Sequence, residues 1–226
     1  PPGFNKGVAD FYASRIQSIV KKAQTYPVKQ IIFTSSTGIY TLAGINDEQT
    51  AINQHQAKPK VLYDAEQTVL QSCIKNKHVL RLGGLLGGKL PIDNKHKNNA
   101  VMRHPGRFNV AITEESADNV INMVMQEDVV QAIKTLIDLA NKGPIAIADD
   151  MRQSLQVLNI VSPHHPSRQS FYRRVWHQYD PERELPSLIT GDGNIGKWVD
   201  GDKITQLLEF KYQFDDWFTA FARAKY

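Results

Sequence analysis

Residues 31–41 read "IIFTSSTGIYT". With Gln30 in front, the first part is a short, continuously apolar run, and it changes at its end to hydroxyl and glycine residues. A run this short, rich in β-branched and aromatic side chains, predicts a strand covered on both faces, the pattern of a parallel sheet. The serines that follow admit two readings. Ser35 and Ser36 either satisfy backbone groups where the strand ends, or Ser36 offers a catalytic hydroxyl. Which reading holds depends on the companions supplied by the rest of the chain.

Upstream, residues 6–25 place Val8, Phe11, Tyr12, Ile16, Ile19, Val20 and Ala23 at intervals of three and four, which predicts a helix with one apolar face. Pro27 ends it by disfavouring helical geometry in Tyr26. Residues 41–60 are polar and read as a loop. A second amphipathic helix is expected over residues 61–76, through Val61, Leu62, Ala65, Val69, Leu70 and Cys73. "HVLRLGGLLGG" (78–88) is a strand running into a glycine-rich turn, and residues 89–107 read as irregular. "RFNVAIT" (107–113) and "NMVMQ" (122–126) are short strands, followed by a helix over 128–141. Asp128 is its expected N-cap, and Val129, Ile133, Leu136, Ile137 and Ala140 form its inner side. "LQVLNIVS" (155–162) is a further strand and "SRQSFYRRVWHQY" (167–179) a helix. "GKWVDGDKITQLL" (196–208) reads as a glycine-bounded turn and short helix, and "DDWFTAFARAK" (215–225) as a closing helix. Strands alternating with helices predict an α/β fold, with parallel βαβ units and helices stacked on the sheet faces.

Composition narrows the class. The 226 residues are 41% hydrophobic and 22% charged, with a mean hydropathy of −0.39, as in an ordinary globular chain with one sizeable core. No apolar run approaches the roughly 20 residues of a membrane-spanning helix, so no membrane partner is expected. The opening "PPGFNKGVADF" lacks the basic start and apolar block of a signal peptide. The single cysteine, Cys73, fits a reducing, cytoplasmic location and is expected in the core beside Val69, Leu70 and Ile74. The net charge is +4, from 27 basic against 23 acidic residues. Basic clusters at 75–78, 95–99 and 103–107 lack the interleaved aromatics of a single-strand-binding surface, so nucleic acid is not expected as a partner.

Four pieces in order carry a resemblance: "IIFTSSTGIY", "AEQTVL" (65–70) on a helix, "VLRLGGLLGG" (79–88) and "MVMQEDVVQAI" (123–133). Together they resemble the extended short-chain dehydrogenase/reductases, which include the NAD-dependent nucleotide-sugar epimerases and dehydratases. "LNIVSPHHPSRQSFY" (158–172) and "GKWVDGDKI" (196–204) are similar to an atypical, epimerase-like branch. The resemblance covers essentially the whole chain. It implies a Rossmann-like parallel sheet flanked by helices with a small C-terminal substrate lobe. Residues 1–150 would be a partial nucleotide-binding domain, and residues 151–226 the substrate lobe and closing elements, interleaved with the first. Family members begin with a strand and a G-x-x-G-x-x-G turn that seats the cofactor pyrophosphate at a helix N-terminus. "GGLLGG" (83–88) lies mid-chain, so roughly 60 to 75 residues and the N-terminal part of the sheet are expected upstream of Pro1. The implied cofactor of the full-length protein is NAD or NADP. The implied partner is a small-molecule substrate of the nucleotide-sugar type. By the same resemblance, the helices at 6–25 and 61–76 would form a homodimer interface.

The resemblance also implies a site. In active relatives a serine at the position of Ser36 works with a tyrosine and lysine spaced Y-x-x-x-K. The lysine lowers the phenol pKa, and the tyrosine exchanges a proton with substrate while hydride moves. Tyr63 offers a phenol, but Gln67 stands four residues later. Aligning Glu66 with the helix glutamate common in the family puts Lys58 at the tyrosine position and Leu62 at the lysine position. Both alignments lose the couple, and an unassisted phenol with a pKa of about 10 is a poor base at neutral pH. Ser36, Tyr63 and Lys58 are therefore the catalytic candidates of a degenerate site. Lys60 is a substitute cation, Tyr40 a substitute phenol, and Tyr63 reads equally as a packing residue. Ser35, Gly83, Gly84 and Leu85 are the cofactor-binding candidates, because glycines permit close backbone approach. In "SPHHPSR" (162–168), His164 and Arg168 are the substrate candidates, the guanidinium fork of Arg168 suiting a phosphate or carboxylate. The adjacent His164 and His165 cannot easily chelate one ion, and no metal is expected. Trp198 is expected to pack against the C-terminal lobe. The function implied is an NAD(P)-binding epimerase/dehydratase-like protein. The alternatives are an active oxidoreductase or epimerase with a rearranged site, or a non-catalytic cofactor sensor or interaction scaffold.

Overall fold

The apolar run becomes β1 (Gln30–Ser36), the edge of a parallel three-stranded sheet in the order β1, β3 (Asn76–Leu82), β6 (Val157–Ile160). The computed structural model describes residues 9–86, 112–142, 149–179 and 187–216, with the single positions 182 and 184. The expected irregular segment at 89–107, most of the 107–113 strand and most of the closing helix lie outside the described residues. The other elements are α1 (Ala9–Gln24), β2 (Gly44–Asn46), α2 (Ala57–Leu70), β4 (Gly84–Leu86), α3 (Glu114–Ala117), β5 (Met123–Met125), α4 (Gln126–Asn141), α5 (Asp149–Ser154), α6 (Arg168–Tyr179), β7 (Lys197–Val199) and α7 (Lys203–Leu208). Two small parallel pairings, β2 with β7 and β4 with β5, flank the main sheet. The architecture is α/β, with parallel sheets between helices. Among the described residues no helix is long and apolar enough to cross a membrane.

The two faces of the main sheet follow from alternation along each strand. Val79 packs with Val20 of α1 and Val69 of α2, joined by Ile16, Ile31, Phe33, Leu70 and Val157. The next residue, Leu80, faces the opposite way, into a larger cluster with Leu136 and Ala132 of α4, Leu158, Ile160 and Ile204 of α7. Leu80, Leu136, Leu158 and Ile204 are all fully buried. Each such side chain contributes about 1.5–3 kcal/mol by leaving water, which fixes both helical layers to the sheet.

The structure corrects several local expectations. On α1 only one stripe faces inward: Val20 is buried and Ile16 packs beside it, whereas Phe11 and Ile19 are exposed. Cys73 is exposed and not a core thiol, because α2 ends at Leu70 and leaves it in the following turn. Asp128 lies inside α4, whose N-cap is Met125. Its carboxylate instead accepts backbone N–H groups of Gln213 at 2.7 Å and Phe214 at 3.3 Å, tying residues 213–214 to α4. Burial raises the pKa of that carboxyl against these two hydrogen bonds. The turn expected before α7 contains β7, and the loop expected over 41–60 contains β2 and the first turn of α2.

Candidate active site

Ligands of open α/β sheets bind beyond the carboxyl ends of the strands. Here β1, β3 and β6 end together. Strand register sets Ser35 opposite Arg81, and Arg81 opposite Asn159, so one polar row crosses the last turn of the sheet on the α2 face. All three are buried. A buried polar row must be satisfied internally, and Glu66 on α2 begins that satisfaction. Glu66 accepts the Ser35 hydroxyl at 2.5 Å and the Arg81 guanidinium, whose Nη2–Oε2 contact is 2.7 Å and whose Nε lies 3.1 and 3.2 Å from the two oxygens. The other arm of Arg81, Nη1, donates to the Tyr40 hydroxyl at 2.8 Å. Tyr40 in turn donates to Asn159 Oδ1 at 2.8 Å. Asn159 passes the chain on to the Asp200 carbonyl, and its backbone N–H donates to Glu48 at 2.7 Å.

The charges in this network follow from competition between burial and partners. Burial alone would pull the Arg81 guanidinium down, but the hydrogen bonds and charge of Glu66 prevail and hold it above its ordinary value. Burial raises the Tyr40 phenol, and the Arg81 charge offsets this only partly. Tyr40 is therefore a locked core group, unsuited to work as a base at neutral pH. A cation–phenol couple does exist in this protein, but it is Arg81 with Tyr40, beneath the surface.

Ser36, one residue further, lies in a different setting. It caps the short 3-10 turn Thr37–Ile39, its Oγ accepting the Gly38 N–H at 3.1 Å. A methyl placed on Gly38 would begin 3.0 Å from Lys58 Nζ and 3.3 Å from Ser36 Oγ, so the amine and the hydroxyl share one small space beside the glycine. Lys58 sits in the first turn of α2. A second amine arrives from the far end of the sequence: Lys197 of β7 donates to the Thr37 carbonyl at 2.9 Å and is 3.4 Å from that of Tyr40. Its delivery depends on the β2–β7 pairing, in which Gly44 stands opposite Lys197 and turns at φ 84. Burial, and then the nearby charge of Lys58, lower the Lys197 pKa.

The remaining candidates are dispersed. Tyr63 is half-buried and packs against the cluster of Ile39, Tyr40, Leu62, Val161 and Val199. Lys60 points to Asp64, 2.6 Å away on the exposed side of α2. Gly83 and Gly84 carry β3 across to β5: a methyl on Gly83 would meet the Asn122 and Met123 backbone at 3.0 Å, and one on Gly84 would collide with the Met123 side chain. Leu85 is exposed. His164 Nδ1 lies 3.1 Å from an Asp216 oxygen, and His165 stacks on Trp198 with ring centroids 4.3 Å apart. Arg168 begins α6, with its guanidinium over the Tyr172 ring at 5.9 Å. Among the described residues, no three His, Cys, Asp or Glu side chains are placed to hold a metal. The structure thus sets Ser36 and Lys58 on either side of the space beside Gly38, places Ser35 in the buried network and leaves Tyr63 in packing. Sequence reasoning missed Arg81, Asn159 and Lys197. A lone charge inside the apolar strand "HVLRL" was the available sign for Arg81.

Comparison with known proteins places this geometry in context. No family model matches the chain. Over 219 residues it is 31% identical to Protein YeeZ of Escherichia coli K12, covering 95% of this chain and 70% of that one. Among solved structures, it is similar to UDP-glucuronic acid 4-epimerase from Bacillus cereus in complex with NAD, with a TM-score of 0.67, 12% identity and coverage of 98% of this chain and 72% of that one. It is also similar to MoeE5 in complex with UDP-glucose and NAD, with a TM-score of 0.66, 16% identity and coverage of 98% and 74%.

Proposed function

The chain belongs to the family of Protein YeeZ of Escherichia coli and shares the fold of UDP-glucuronic acid 4-epimerase and MoeE5, and from that premise we propose that it is an epimerase/dehydratase-like protein of the extended short-chain dehydrogenase/reductase superfamily, binding NAD or NADP and a nucleotide-sugar type of substrate, with a degenerate Ser-Tyr-Lys site. The observation that carries this reading is that the Lys58 amine and the Ser36 hydroxyl both border the space beside Gly38, where the family's chemistry calls for a phenol. Neither nearby tyrosine is placed to supply one: Tyr40 is bound to Arg81 and Asn159, and half-buried Tyr63 packs against the cluster of Ile39 and Leu62. Proton transfer by a placed group is worth about 10²–10⁴-fold in rate, so turnover is expected to fall short of a complete site by that order. Residues 1–150 would carry the nucleotide part and 151–226 the substrate side, with Gly83, Gly84 and Leu85 toward the cofactor and His164 and Arg168 toward the substrate.

Calorimetric titration of the full-length protein with NAD⁺ and NADP⁺ tests the cofactor reading. Binding of either supports it, and no heat with either ends it. In protein that binds, slow conversion of a UDP-sugar that disappears in Ser36→Ala supports a residual serine-dependent site. Conversion unchanged in that variant removes serine from the chemistry. The exposed Phe11 and Ile19 of α1, beside α2, favour a homodimer through these helices. A monomer in sedimentation velocity contradicts that. Location in the cytoplasm is our reading of the lone thiol of Cys73.

A further inference from the structure

We propose that Ser36, Lys58 and Lys197 form a cradle for an oxyanion, a carboxylate or phosphoryl group carried by the substrate. The proposal depends on the preceding reading for the word substrate, but not for the anion. Three observations support it.

The first is the hydrogen-bond inventory. An ammonium has three donors and no acceptor, and a hydroxyl has one donor. Lys197 spends donors on the carbonyls of Thr37 and Tyr40, which leaves one N–H. Lys58 makes no hydrogen bond or ion pair with any described residue, so its three donors are free. The Ser36 oxygen already accepts from Gly38, and its proton has no acceptor among the described residues. The uncommitted hydrogen-bonding capacity beside Gly38 is thus mostly N–H and O–H donors, with one lone pair left on Ser36, and the two amines carry positive charge, which suits an acceptor-rich anion.

The second is electrostatic frustration. Burial first, and then the charge of Lys58, lowers the pKa of Lys197, and no carboxylate among the described residues forms an ion pair with either amine. Lys58 also lies in the first turn of α2, which contains no acidic residue and where the helix dipole disfavours a cation. Stability alone does not select such an arrangement. Breaches of local rules of this kind concentrate at functional sites.

The third is room. Gly38 lacks the carbon that would intrude between Lys58 and Ser36, and its backbone is not left-handed, so glycine is there for space and not for conformation. The space lies at the carboxyl ends of the strands, where this fold binds ligands.

Acetylation footprinting tests the cradle in cofactor-free, full-length protein. The labelling rates of Lys58, Lys197 and Lys60 are read by mass spectrometry with inorganic phosphate, with glucuronate, and with neither. Lys60 is the internal control, since Asp64 already holds it on the same helix. The expected result is slower labelling of Lys58 and Lys197, and not of Lys60, with at least one anion. Protection by phosphate alone assigns a phosphoryl group, and protection by glucuronate alone assigns a carboxylate. Lys58→Gln, at an exposed position, is expected to keep the fold and weaken calorimetric affinity for that anion about fivefold, whereas Lys197→Gln reports the same loss only if it folds. Equal labelling with and without both anions, or a Lys58→Gln affinity within about twofold of the wild type, overturns the proposal. A protein that binds NAD yet shows no protection loses the cradle and keeps the cofactor reading. The converse result keeps the anion site and discards the cofactor.

Discussion

Arg81 and Glu66 form an ion pair almost wholly withdrawn from water: side-chain exposure is 5% for the arginine and 0% for the glutamate. One lies on the central strand and the other on the helix above it, so the pair joins two layers through charge beside the Ser35–Glu66 hydrogen bond and the apolar packing of Val79 with Val69. Removing one member would strand the other as a buried charge, which typically costs about 3–5 kcal/mol. Glu66→Leu is therefore expected to destabilise by that order in urea unfolding. Glu66→Leu with Arg81→Met should cost much less than the sum of the two single changes, because the double variant leaves no charge unpaired.

Lys60 and Asp64 give the contrasting case. They are closer, at 2.6 Å, but 53% and 42% exposed. Water screens such a pair and the side chains lose entropy in making it. Lys60→Ala is expected to change stability by less than about 0.5 kcal/mol in the same unfolding assay. A loss comparable to that of Glu66→Leu would show that burial is not what separates the two pairs.

Two glycines near the site are expected to respond in opposite ways. At Gly83 an added carbon would meet the Asn122 carbonyl oxygen and the Met123 carbonyl carbon, both at 3.0 Å and both backbone. The β4–β5 pairing must then shift, and Gly83→Ala is expected to cost about 1–3 kcal/mol in unfolding free energy. At Gly38 the nearest atom, also at 3.0 Å, is the mobile tip of Lys58. Gly38→Ala is expected to leave stability within about 0.5 kcal/mol while displacing the amine and lowering anion affinity in calorimetry.

These predictions draw on parts of the molecule that differ in how plainly the sequence announces them. Periodicity announces β1, β3, β6 and the long helices, because each buries a face against the same layers over several residues. It says nothing of the catalytic couple, whose loss only the family resemblance implies, since Gln67 stands where that pattern has a lysine after Tyr63. It does not announce β7. Three residues, Lys197, Trp198 and Val199, are too few for a pattern and pair with a strand about as short. Lys197 reaches the Ser36 turn from 160 positions away, so no local spacing could reveal it. The Ser35–Arg81–Asn159 row is hidden for a related reason, since it exists only once three strands are placed in register. Cys73 misled because its apolar neighbours Val69 and Ile74 are buried while the turn carries the thiol itself outward.

His165 gives a prediction in pH. It stacks on Trp198 and lies near His164 and Asp200, and its Nδ1 is buried with no hydrogen-bond partner among the described residues. Burial, and then the neighbouring His164, lower its pKa to about 4, against attraction from Asp200. An imidazole in the unfolded chain titrates near 6.5. Between those values the unfolded chain binds a proton that the folded protein refuses. Stability must therefore fall as pH drops from about 6.5 toward 4 and show no contribution from this group above that window. Other groups titrate in acid as well: His78 is also lowered by burial, while Glu48 and Asp128 are raised by it. The wild type is therefore compared with His165→Phe, which keeps a ring against Trp198 and removes the titration. The difference in their unfolding free energies, measured in urea from pH 4 to 8, is expected to be flat above about 6.5 and to move in favour of the variant below it. A difference that stays flat across the whole range would mean that the folded protein accepts the proton on His165 as readily as the unfolded chain does.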